Sequence, residues 1–281
     1  MKFKYKNQVC FIATMHEKQN AIKNSFESIL GCQVVQAKIN TDLLGTFTGE
    51  IERRLSPFEC VKEKCTRGLD AENGDLGVAS EGSFKPHPLI PFVSVDHEIL
   101  FFIDRKNGFE LTLSKISLDT NFSGKAIFNL EELAVYAKQA LFPSHGLIIR
   151  PNQPKNENLL FKGIQVYEDL MTSFKKCQEA SIDNQVWVET DMRAHMNPTR
   201  MKVIAELGHE MAVRLATTCP SCEIPGWGVV KKLSGLPCKE CGTPTQLVHS
   251  EVNRCCKCEY QEIVQIQTDM ADPRDCPFCN P

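Results

Sequence analysis

The chain has no apolar stretch near the roughly 20 residues a membrane-spanning helix needs, no internal repeat and no low-complexity tract. It also lacks an excess of charge of one sign: 32 Lys and Arg face 35 Asp and Glu, a net charge of -3. No global basic field therefore draws it onto nucleic acid or an anionic membrane. The opening MKFKYKNQVCFIAT contains an apolar run, Val9 to Ala13, too short for the core of a secretion signal, and no small-residue cleavage site follows it. The expected compartment is the cytoplasm, with no membrane partner.

Cysteine is abundant instead: 14 residues, nine of them after position 215. In a reducing compartment that number points to metal rather than disulfides. Cys10, Cys32, Cys60, Cys65 and Cys177 show no ligand spacing and read as small buried hydrophobes. Eight of the others form four C-x-x-C pairs: Cys219 and Cys222, Cys238 and Cys241, Cys255 and Cys258, Cys276 and Cys279. Each pair is a short turn aiming two thiolates at one point, and two such turns complete the tetrahedral site structural zinc prefers. Two zinc ions are expected, with redox-active pairs and an iron–sulfur cluster as the rival readings. For the pairing, a nested arrangement is favoured, with Cys238/Cys241 joining Cys255/Cys258 around a hairpin over 246–254. Cys219/Cys222 would then join Cys276/Cys279, and consecutive pairing is the alternative. Cys256 is the spare ninth cysteine, and His249 is rejected as a ligand because cysteines fill both sites.

From Thr217 to Pro281 there are six Lys or Arg and eight Asp or Glu, a balance of -2, and each four-thiolate zinc site adds about -2. So acidic a tail is a poor phosphate binder, which makes nucleic acid a disfavoured partner and folding support or protein contact the expected role.

Before the tail, strand and helix signals alternate. Val9–Ala13, 33–36, 77–80, 147–150 and 186–189 read as strands, and 93–103 with 111–118 as a hairpin across the turn at 104–108. Helices are expected over about 18–30, from the capping box Ser56-Pro57-Phe58-Glu59 to about Leu69, from Asn129, over 167–180, and from Asn197-Pro198. Behind Asn197, Met201, Ile204, Gly208, Met211 and Leu215 make one core-facing stripe. The pattern predicts an α/β domain over 1–215, a mixed central sheet flanked by helices, and a zinc-ribbon domain over 216–281.

Open α/β sheets bind ligands at the ends of strands, and four segments put polar residues there. Thr14, His16 and Lys18 join the first strand to the first helix, where amides and Lys18 suit an anion; an ordinary βα loop capped by Thr14 is the competing reading. A loop over 42–54 holds Thr48 and Glu50, with Arg53 and Arg54 behind, and is either a ligand clamp or a plain loop. Glu81, at the end of a buried strand begun near Asp75, is the leading catalytic candidate, as a magnesium ligand or a base aligning water; a solvent-facing turn is the alternative. Arg193, His195 and Arg200 gather around the helix start at Asn197, an anion-favouring position that ordinary capping would also explain. Ser144 and His145 precede the strand at 147.

The order Thr14…Lys18, Thr48-Gly49-Glu50, the Ser56 helix and Gly77-Val78-Ala79-Ser80-Glu81-Gly82 resembles the house-cleaning pyrophosphatases for inosine and xanthosine triphosphate and their Maf-like relatives. The resemblance spans residues 9 to about 150, with His16 where asparagine is usual and Glu81-Gly82-Ser83 where Glu-Gly-Gly is usual. It implies a first loop that holds phosphate, an acidic residue that binds magnesium, and a Ser-His element, Ser144-His145, that reads the purine. The whole chain also resembles a family of uncharacterised bacterial proteins with a zinc-ribbon tail. The expected function is a magnesium-dependent hydrolase of a nucleotide or other phosphorylated small molecule, with Glu81 and Asp75 or Glu50 at the metal. The alternative is a non-enzymatic ligand-sensing or protein-binding module.

Overall fold

The structure is a computed structural model that describes residues 4–41, 55–87, 89–155, 159–266 and 269–281. Its first sheet has the order β2-β1-β3-β4-β5. The apolar run of β1 (Val9–Ala13) lies between β2 (Gln33–Gln36) and β3 (Leu76–Pro86), both parallel to it. The hairpin of β4 (Ser94–Asp104) and β5 (Phe109–Ser117) completes the sheet in antiparallel fashion. The fold is thus α/β with a mixed central sheet.

Helices cover both faces. Helix α1 (Gln19–Ser25) runs on through a π turn to Leu30, and α5 (Pro198–Ala216) packs beside it; Ile22, Phe26, Ile204, Leu207 and Met211 meet Leu76, Val78, Leu100 and Phe102. On the opposite face α2 (Pro57–Glu72) sets Val61, Cys65 and Leu69 against Ala79, Ile99 and Phe101. Both halves of the Ser56–Glu59 capping box form, and Asn73 ends α2 in the left-handed conformation. The chain leaves β1 over one face towards β2 and returns over the other to β3. The gap between β1 and β3 is therefore the switch point of the sheet.

A second sheet, not evident in the sequence pattern, has the order β6-β9-β7-β8 and is antiparallel throughout. It comprises β6 (Gly124–Ile127), β7 (Leu147–Pro151), β8 (Phe161–Ile164) and β9 (Val186–Thr190). Helices α3 (Leu130–Gln139) and α4 (Tyr167–Glu179) share its inner face, packing Leu133, Tyr136, Leu170 and Phe174 on Ile149, Val186 and Val188. Strands β6 and β8 have four residues each, too short to show an alternation.

The tail forms a third sheet, β10 (Gly228–Ser234), β11 (Val248–Arg254) and β12 (Gln261–Gln265), in that order and antiparallel. The expected hairpin over 246–254 is one strand of this meander. Ile224 and Cys256 pack on the core of the first sheet, and Arg214 of α5 donates to the Gly226 and Val229 carbonyls. The five scattered cysteines are all buried. Among the described residues no helix is long and apolar enough to cross a membrane.

Candidate functional site

Strand β1 ends at Ala13, opposite Ala79, whereas β3 continues to Pro86 paired only with β4. Beyond residue 79 one edge of β3 is therefore uncovered by β1, and the 14–18 loop crosses this crevice. Thr14 and Lys18 are buried there. Thr14 Oγ1 accepts from the His16 amide at 3.3 Å, and Lys18 Nζ donates to the Ser80 carbonyl at 3.3 Å.

Strand alternation sends consecutive side chains to opposite faces. Glu81 points to the α2 face, where its Oε2 lies 2.5 Å from Nζ of Lys64, both groups buried. Gly82 points the other way: a Cβ there would fall 2.3 Å from both Arg200 Nη2 and Glu98 Oε1. Only glycine leaves room for that second ion pair, in which Arg200 Nε donates to Glu98 Oε1 at 2.6 Å with both side chains fully enclosed. Arg200 also donates to the Met192 carbonyl, and its guanidinium lies 5.3 Å from the centre of the Phe84 ring. Two residues before Glu98 on the same strand face is Asp96, 1% exposed, with no donor for either carboxylate oxygen; Glu98 Oε2 has none either, and the two carboxyls lie within hydrogen-bond reach of each other.

The electrostatics follow from this crowding. Burial pushes the Asp96 carboxyl up to about 7, helped by the charge of Glu98 and opposed by Arg200 and Lys18. Burial also pushes Lys18 down to about 8; Arg200 adds to that shift, while Glu98 and Glu81 oppose it. His16, brought down to about 4 by burial and by Lys18, His195 and the two arginines, is neutral at pH 7. Its ring stacks on His195 at 5.2 Å, tying the first loop to the 3-10 turn Ala194–Met196 that follows β9. Buried charges on this scale are rare unless paired, and here six lie around one switch point: Lys18, Lys64, Arg200, Glu81, Asp96 and Glu98.

The structure therefore brings together Thr14, His16, Lys18, His195 and Arg200, with Glu81 at the same stretch of β3 but on its α2 face. Arg193 lies close to His16 and His195, but its guanidinium forks onto Asp191, with contacts of 2.5 to 3.1 Å. Asp75 does not join the cluster. It is exposed at the start of β3, six residues before Glu81, and at about 3.3 Å per strand residue that is roughly 20 Å away. Its expected place beside Glu81 is corrected because β3 is 11 residues long rather than four. Thr48 and Glu50 lie outside the described residues.

Ser144 and His145 are engaged elsewhere. His145 Nδ1 lies 2.9 Å from Ser144 Oγ, and its Nε2 is 3.0 Å from Thr199 Oγ1 and accepts from the Thr199 amide at 3.4 Å. This also removes the backbone amides from the expected anion site at the start of α5. Pro198 has no N–H, Thr199 donates to His145, and the Arg200 amide donates to Asn197 Oδ1 at 3.0 Å, so the first-turn amides are spent. Lys64, Asp96 and Glu98 are absent from the sequence-derived set. The available signal was an Asp and a Glu two residues apart, running straight into the apolar stretch 99–103 of one strand, which places both on one face.

In the tail, the cysteines form two quartets that could each hold a zinc ion: Cys219, Cys222, Cys255 and Cys258, and Cys238, Cys241, Cys276 and Cys279. Sulfur–sulfur separations of 3.7 Å (Cys219–Cys258), 3.6 Å (Cys222–Cys255), 3.9 Å (Cys238–Cys279) and 3.6 Å (Cys241–Cys276) match the edge of about 3.8 Å of a tetrahedron with 2.3 Å zinc–sulfur bonds. They are far longer than a disulfide of about 2.05 Å. The pairing is first with third and second with fourth, which corrects both the nested and the consecutive schemes. In a three-stranded meander each strand reverses the chain, so odd-numbered turns fall at one end and even-numbered turns at the other. Seven residues of β10, about 23 Å of strand, separate the first turn from the second. Cys256 takes no part; its Sγ lies 3.2 Å from the Pro225 carbonyl.

No curated protein matches the chain. A family match covers residues 64–281 and so includes Lys64, Glu81, Asp96, Glu98, Arg200 and all eight quartet cysteines. On that match the chain belongs to the family described as a domain of unknown function, DUF6671.

Proposed function

We propose that the crevice binds a phosphorylated small molecule, a nucleotide in the first instance, and hydrolyses it with magnesium. The observation that carries this reading is the set of six charged groups buried at the carboxyl ends of β1 and β3. Burying such groups costs several kcal/mol each before pairing, and a sheet's switch point is where ligands of α/β folds sit. The likeness of the first loop to the phosphate-holding loop of the inosine and xanthosine triphosphate pyrophosphatases agrees with it.

Lys18 and Arg200 offset phosphate charge. The donor set fits magnesium: three buried carboxylate oxygens of Asp96 and Glu98 face each other with no donor between them, and magnesium takes one or two carboxylates beside substrate phosphates. Asp96 and Glu98 would hold the ion, which would polarise the phosphoryl oxygens. Glu81 lies on the opposite face of β3 from Asp96 and Glu98 and meets the substrate across the edge that β1 leaves uncovered beyond residue 79; there, fixed by Lys64, it accepts the proton of the attacking water as that oxygen bonds to phosphorus and the bond to the leaving oxygen breaks. The zinc quartets supply no substrate position, because four thiolates close each site.

The test is a panel of nucleoside triphosphates with magnesium, comparing wild type with Glu81→Gln. Loss of a general base lowers turnover by about 10²–10⁴-fold. Equal turnover by both proteins removes Glu81 from the mechanism, and ligand-induced stabilisation without product supports the binding-module reading.

A further inference from the structure

The inner face of the second sheet is covered by α3 and α4, but its other face turns towards the end of β3. A cavity of about 280 Å³ lies there, lined by Phe84, Phe122, Gly124, Ile148, Trp187 and Glu189 among others. Glu189 pairs across the strands with Gly124 on one side and Ile148 on the other, so the three share this face. Phe84 stacks on Phe122 at 5.3 Å, and Trp187 Nε1 donates to Glu189 Oε2 at 2.6 Å. A Cβ on Gly124 would sit 3.1 Å from the Trp187 ring and from Glu189 Cβ, so the glycine keeps this wall open. The cavity and the charged crevice share a wall, since Phe84 carries the Arg200 guanidinium at 5.3 Å and Met192 accepts from Arg200.

We infer that this cavity holds the base of the nucleotide and selects guanine. The inference rests on the phosphate-binding reading of the crevice. Flat aromatic walls suit a planar ring, and the volume of about 280 Å³, just below the range of about 300–1,000 Å³ for ligand pockets, admits one ring system. The carboxylate facing it accepts hydrogen bonds and donates none. It therefore favours an edge with adjacent N–H donors, the N1–H and 2-amino group of guanine. Inosine lacks that amino group, and adenine offers one donor beside an acceptor.

Calorimetry with guanosine triphosphate, inosine triphosphate and inorganic tripolyphosphate, each with magnesium, tests this. Guanosine triphosphate should bind roughly ten- to a hundredfold more tightly than inosine triphosphate, the range for one hydrogen bond to a charged group. Glu189→Gln, which keeps an acceptor for Trp187, should bring the two nucleotides level and leave tripolyphosphate unchanged. Phe122→Ala, on a loop outside the sheet, should weaken both nucleotides and spare tripolyphosphate. Equal binding of the nucleotides by wild type, or a preference that survives Glu189→Gln, overturns the inference. If tripolyphosphate binds while that preference is absent, the crevice reading stands alone; if none of the three binds, both fall.

Discussion

In the cysteine tail each sulfur has three others within 4.8 Å, at spacings a single zinc ion would satisfy. In the crevice, the buried carboxylate of Asp96 has no donor and faces that of Glu98, and Lys18 is held where its proton binds weakly. The first region is complete with metal alone. The second is arranged at the expense of stability, and that is the pattern expected where a ligand is to be bound. The difference teaches where to look for function: in the groups that the fold leaves unbalanced rather than in its most recognisable motif.

The largest expected effect probes the balanced side. Structural zinc contributes roughly 10–16 kcal/mol to small zinc domains, so chelation should unfold the tail. The pairing can be counted as well. Cys219 and Cys255 belong to one quartet, so the double variant Cys219→Ser/Cys255→Ser should keep one of two zinc ions by metal analysis. Nested or consecutive pairing would place these cysteines in different sites and leave neither intact.

Next in size is Lys64→Met, which removes the ion-pair lysine from buried Glu81. Breaking a buried pair costs about 3–5 kcal/mol, read as a lowered midpoint in denaturant. A loss below 1 kcal/mol would mean that water reaches Glu81.

Lys18→Met works in the opposite direction. Lys18 falls from 10.5 to about 8 in the folded state. Below pH 8 both states carry the charge, and its burial weakens the fold by roughly 3 kcal/mol at 1.36 kcal/mol per unit. Between pH 8 and 10.5 the folded protein sheds the proton first, so wild-type stability rises, and above 10.5 the penalty is gone. The variant should therefore be more stable at pH 7, with the advantage fading across that window. A constant advantage would assign the effect to packing instead.

How much of this was legible in the sequence follows the same division. The eight cysteines are readable from spacing because each C-x-x-C turn is local; their partners are not, because strand reversal in the β10–β12 meander decides them. Val9–Ala13 and the caps at Ser56 and Asn197 are local signals, and they mark elements the structure contains. Glu81 stands out beside its glycine, but the strand reads as ending at residue 80, whereas it runs on through Gly82, which is a close approach to Arg200 and Glu98. That misreading shortens β3 and draws Asp75 towards the site. Lys64 is one lysine on a helix, and Asp96 and Glu98 are two acids in a strand, until α2 and α5 close over the sheet from either side.

The central claim is that the unbalanced charges of the crevice await a phosphorylated ligand. Thermal unfolding with magnesium and a nucleoside triphosphate tests it most directly. At a hundredfold excess over the dissociation constant a ligand stabilises by about 2.7 kcal/mol, so the transition should rise by several degrees, and Lys18→Met should abolish the shift. An unchanged transition with every phosphorylated compound tried would contradict the account.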